Sequence, residues 1–93
     1  MGRAIITFKI MPESVETELG PIKQQAEIIA KEAGAIGQMQ VKEEPIAFGL
    51  KAILVLAMYE VGDDSDFDGT AAKMKEIKHV LSAEVAKMDL ALG

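Results

Sequence analysis

The sequence predicts an α+β fold: a ferredoxin-like βαββαβ sandwich, with a four-stranded antiparallel sheet and two helices on one face. Three observations carry this. Apolar residues alternate at period two over residues 3–11. They recur at helical spacing over residues 19–33 and again over 67–81. A run apolar on both faces fills residues 52–58. Period two marks a strand and three- or four-residue spacing marks a helix. The order strand, helix, strand, strand, helix, strand then lays both helices on one side of a single sheet.

Each element follows from its residues. Ala4, Ile6, Phe8 and Ile10 share one face of the first strand and Ile5, Thr7 and Lys9 the other. Pro12, unable to donate into a ladder, ends it. Leu19, Ile22, Ala26, Ile29 and Ala33 form the stripe of the first helix. Pro21 is tolerable only in a first turn, so this helix begins within residues 18–20 and stops at Gly34. Residues 36–44 hold Ile36, Met39 and Val41 without clean alternation, as a weaker edge strand does. Residues 47–61 form the strongest strand, and its two apolar faces make it central. After an acidic turn, Phe67, Ala71, Met74, Ile77 or Lys78, and Leu81 define a second helix reaching about Ser82. Residues 83–92 close the sheet, with Ala86, Met88 and Leu90 on one side. The helix-free face is then expected to carry Ile5, Thr7, Ile53, Val55, Ala57 and Tyr59. It is either shielded by lysine stems or a docking surface for a partner or a second copy.

Composition bounds the function. Ninety-three residues make a single domain, residues 1–93, and 49% apolar content suffices for one two-layer core. There is no cysteine, which excludes disulfides and thiolate metal sites and fits a reducing cytosol. A net charge of −5 argues against nucleic-acid binding and leaves a basic protein partner open. The run from Ala52 to Tyr59 is far shorter than the roughly 20 residues of a membrane span. Residues 4–8 are cut by Lys9 and lack a cleavage pattern, and Ile6 stands where a myristoylation signal needs Ser or Thr. A cytoplasmic protein is expected.

Chemistry-bearing constellations are sparse. Asp64, Asp66, Asp68 and Gly69 match the first half of a calcium loop, but Lys75 holds the place of its closing carboxylate. The other reading is an acidic turn capping the second helix, where carboxylates suit the helix dipole. His79 is the single histidine and falls off the apolar stripe, as a solvated residue does. Glu43 and Glu44 are adjacent on a strand and so point to opposite faces, unlike an acid–base pair. The Gly34–Gly37 turn lacks the Lys and Ser/Thr of a phosphate cradle. The six methionines suit core gaps. No active site is visible, and no enzyme is expected.

The most informative phrase is Glu43-Glu44-Pro45-Ile46-Ala47-Phe48-Gly49-Leu50-Lys51. Proline and glycine bracket an aromatic just before the central strand, which reads as a strand-to-strand connection with Phe48 at or near its tip. Phe48 either meets another molecule there or packs beneath a neighbouring loop. This phrase, with Ile10-Met11-Pro12-Glu13-Ser14 and the glycine-acidic turn at Gly62, resembles the archaeal elongation factor 1-beta family over essentially the full length. That family corresponds to the C-terminal catalytic domain of the eukaryotic factor. The resemblance implies a guanine-nucleotide exchange factor promoting GDP release from elongation factor 1-alpha, with no cofactor. It implies that Phe48 inserts near the switch region of the GTPase, and Pro45, Ile46, Phe48, Gly49, Lys51 and Asp89 are the partner-binding set expected from it. A lysine near the C-terminus of eukaryotic relatives reaches toward the magnesium site. Here Leu90-Ala91-Leu92-Gly93 follows Asp89, so that role passes to no residue. The rival class is a ferredoxin-like small-molecule-binding or oligomerising regulatory module. An RNA-recognition module is disfavoured, because the expected open face is aliphatic.

Overall fold

The computed structural model describes residues 2–91. Its elements are β1 (Gly2–Pro12), α1 (Leu19–Glu32), β2 (Ile36–Pro45), β3 (Lys51–Val61), α2 (Phe67–Lys75) and β4 (Val80–Ala91), with a 3-10 turn at Ala47–Gly49. The strands form one sheet in the order β2-β3-β1-β4, antiparallel throughout. Both helices pack against one face of it, so the ferredoxin-like expectation holds. β3 is central and β2 is an edge, as the apolar patterns predict.

The core sits between the helices and the two central strands. Ala4, Ile6, Phe8 and Ile10 of β1 are all fully buried. Register sets them opposite Tyr59, Ala57, Val55 and Ile53 of β3, so all eight side chains share the helix-facing side. Ile22, Ala26 and Ala30 of α1 and Ala71 and Met74 of α2 close over them. Phe8 meets Tyr59 edge-on at 6.3 Å, and Tyr59 lies 5.0 Å from Phe67. Truncating a fully buried Phe such as Phe8 to Ala costs about 3–5 kcal/mol.

Four expectations need correction. First, β3 starts at Lys51 rather than residue 47, because Phe48 and Gly49 take positive φ and cannot continue a ladder. Second, Ile53, Val55, Ala57 and Tyr59 line the core and not the open face. The open face instead presents half-buried Ile5, Leu54, Leu56 and Met58 beside Thr7 and Lys9. Third, α2 ends at Lys75, well before Ser82. Residues 76–79 turn, with His79 at φ 71°, and Glu13 N donates to the His79 carbonyl at 3.0 Å. The β1 ladder thus captures residues that helical spacing would have continued. Ile77 still reaches the core, whereas Leu81 lies exposed on β4. Fourth, β4 starts at Val80 rather than residue 83, and Ala86 is the extra residue of a bulge between the pairs Phe8–Val85 and Thr7–Lys87, so Val85 takes the place opposite Phe8. Leu92, expected at the end of this strand, lies outside the described residues, as does Gly93.

Candidate functional site

The β2–β3 connection closes tightly on itself. Pro45 and Lys51 form the last ladder pair. Ile46 N donates to the Leu50 carbonyl at 2.7 Å and Leu50 N to the Ala47 carbonyl at 3.2 Å. Three residues are left to reverse the chain, which forces positive φ at Phe48 (61°) and Gly49 (80°). Glycine tolerates this freely, but a side chain with a β-carbon pays about 1–2 kcal/mol. Phe48 carries that strain while 95% exposed, so its own domain gains almost no burial from the ring. The alternative that it packs beneath a neighbouring loop is excluded. Gly49 rests against the β1–α1 turn: a β-carbon there would lie 3.7 Å from Val15 Cγ1.

The base of the loop is held by charge. Lys23 of α1 donates to Glu43 Oε2, and Lys51 Nζ lies 3.7 Å from Glu43 Oε1. The Lys23 hydrogen bond and charge, helped by Lys51, hold the Glu43 carboxyl below its usual range. Glu44 points to the other face, where Lys9 Nζ lies 3.6 Å from its Oε1. The adjacent carboxylates therefore part as strand geometry predicts.

Pro45, Ile46, Phe48, Gly49 and Lys51 thus come together at one end of the sheet. Asp89 does not join them. It pairs across Ile5, which pairs with Met58, seven residues along β3 from Lys51 or about 23 Å at strand rise. Lys87 Nζ lies 3.6 Å from its Oδ2. Asp66 caps α2, its Oδ1 accepting from Gly69 N at 2.9 Å. Asp64, Asp66 and Asp68 do not gather: among the described residues no three His, Cys, Asp or Glu side chains could hold a metal. Sequence reasoning missed Val15, the Lys23–Glu43 pair and the His79–Glu13 contact (3.2 Å), each joining segments distant in the chain. Among the described residues no helix is long and apolar enough to cross a membrane.

A sandwich that holds one strained, solvent-facing aromatic out on a closed loop has the form of a protein-docking domain. The model of the EF-1 guanine nucleotide exchange domain matches residues 5–90, and the chain belongs to that family. It is 37% identical over 90 residues to elongation factor 1-beta of Methanosarcina barkeri, covering 95% of this chain and 100% of that one. It is 35% identical over 91 residues to the protein of the same name from Methanosarcina acetivorans, covering 95% and 100%. With that of Pyrococcus abyssi it shares 39% over 81 residues, 84% of each chain. Guanine-nucleotide exchange in translation elongation is therefore its role.

Proposed function

We propose that residues 1–93 act as one exchange domain on the elongation factor 1-alpha GTPase in the cytoplasm. It binds through Phe48 and promotes GDP release without covalent chemistry of its own. The observation that carries this reading is the 95% exposure of Phe48 in a left-handed backbone conformation. An exchange factor that favours the nucleotide-free GTPase must weaken nucleotide binding by the same factor, because coupling free energies are reciprocal. Burying one Phe against the nucleotide-free form contributes about 1.5–3 kcal/mol, or roughly ten- to a hundredfold in affinity. Pro45 and Gly49 fix the backbone beside it, and Ile46 and Lys51 flank it, so little ordering entropy is lost on docking. Asp89, at the far end of the sheet, belongs to the proposed surface only if the partner reaches along it. The net charge of −5 supports a protein partner over a nucleic acid.

The test is release of a fluorescent GDP analogue from the GTPase. Phe48→Ala is expected to lose most of the stimulation while its circular dichroism spectrum and melting temperature stay near wild type. Equal stimulation by the variant and the wild type removes Phe48 from the mechanism.

A further inference from the structure

We propose that the β1–α1 turn is a second arm of the docking surface, with Val15 as its apolar contact and Glu16 and Glu18 as an acidic rim. The GTPase then presents an apolar hollow bordered by lysine or arginine side chains. This rests on the reading of Phe48 given above.

The turn is locked from within. Ser14 N donates to Thr17 Oγ1 at 3.2 Å, Thr17 N to the Ser14 carbonyl at 3.3 Å, and Glu16 N to Ser14 Oγ at 3.2 Å. The Glu13 N bond to the His79 carbonyl anchors it to the start of β4. None of these bonds needs an apolar side chain at position 15, yet Val15 stands there 59% exposed. Burial in its own core does not account for it. Its position does: Val15 Cγ1 faces Gly49, the residue after Phe48, so the valine and the ring stand on two loops that adjoin at one end of the sheet. A hollow of about 180 Å³ lies between those loops, with Ser14, Val15, Glu43 and Gly49 in its wall. The same turn is acidic on its outer side, where Glu16 and Glu18 share a second hollow with Lys78 and His79. Glu43 is already answered by Lys23 and Lys51, whereas Glu16 and Glu18 are exposed and form no ion pair among the described residues. Apolar contacts at the centre with charges at the rim are the usual anatomy of a specific interface, and complementary rim charges speed encounter.

Stopped-flow release of fluorescent GDP, followed against exchange-factor concentration, gives a maximal rate and a half-saturating concentration. Val15→Ser is expected to raise the half-saturating concentration about three- to tenfold, with the maximal rate within about twofold of wild type. Val15→Leu, which keeps an apolar side chain, is expected to raise that concentration less than Val15→Ser; a leucine variant as weak as the serine one overturns the apolar contact. The Glu16→Gln/Glu18→Gln double variant flattens the rise of that concentration with added salt. Val15→Ser equal to wild type, while Phe48→Ala loses stimulation, overturns the second arm alone. Both variants equal to wild type overturns the Phe48 reading as well. Amide shifts at Ala47–Leu50 that move in Val15→Ser assign the valine to loop support and also overturn the docking role. An unchanged salt dependence in the double variant overturns the basic-rim partner.

Discussion

The Tyr59 hydroxyl donates a 2.9 Å hydrogen bond to the backbone carbonyl of Ala30, tying the middle of the sheet to the last turn of α1. That carbonyl also accepts from Ala35 N at 3.2 Å, so removing the phenol oxygen orphans nothing. Tyr59→Phe is expected to cost about 1 kcal/mol, seen as a fall of roughly 4–8 °C in Tm.

The same residue sets an alkaline limit. Burial pushes the Tyr59 phenol from 10.0 up to about 12. The native state then holds its proton while the unfolded chain releases it, so stability falls as pH rises from about 10 toward 12. Denaturant midpoints taken across that range should decline more steeply for wild type than for Tyr59→Phe. Parallel declines refute the assignment.

Glu43 gives the opposite slope. Lys23 and Lys51 depress its pKa, so the contribution is present above the ordinary carboxylate value of 4.5 and is lost as pH falls through the lowered one. Glu43→Gln should melt slightly below wild type at neutral pH and coincide with it in acid. Added salt should also close the gap, because the group is exposed. The same substitution should slow GDP release modestly by loosening the base of the Phe48 loop.

The α2 cap offers a sign test. Asp66→Ala removes the acceptor for Gly69 N and should cost about 1 kcal/mol. A β-carbon at Gly69 would sit 2.2 Å from Asp66 Oδ2, so Gly69→Ala displaces the capping carboxylate. Placed in the Asp66→Ala background, Gly69→Ala meets no such oxygen and gains up to about 1 kcal/mol of helix propensity. Thermal melts of the four proteins should therefore be strongly non-additive, and strict additivity counts against the cap.

Phe48 sets stability against function. Asn accepts the left-handed backbone more readily than Phe, and a ring that is 95% exposed leaves little packing to lose. Phe48→Asn should raise stability by up to about 1 kcal/mol while stimulation of GDP release collapses. A fall in Tm means the ring contributes contacts to its own fold.

The fold was legible because β1 alternates cleanly, α1 is bracketed by Pro21 and Gly34, and the apolar run at residues 52–58 marks a central strand. Its errors have local causes. Ile53, Val55, Ala57 and Tyr59 cannot be told by polarity from Leu54, Leu56 and Met58. Only pairing with β1 decides which set is inside, and a one-residue slip reverses it. Ile77 and Leu81 keep helical spacing past the true end of α2, and the break at His79 lacks the glycine or proline that would announce it. At the site, Pro45 and Gly49 reveal the turn and the exposed ring. The Lys23–Glu43 pair at its base and the approach of Val15 to Gly49 span 20 and 34 positions and leave no pattern in the chain.

The two irregularities of β4, at Leu81 and Ala86, have a use beyond re-aiming Val85. They interrupt the outward row of unpaired amides, and on a margin that bears Leu81, Met88 and Leu90 exposed such breaks work against pairing with a second copy.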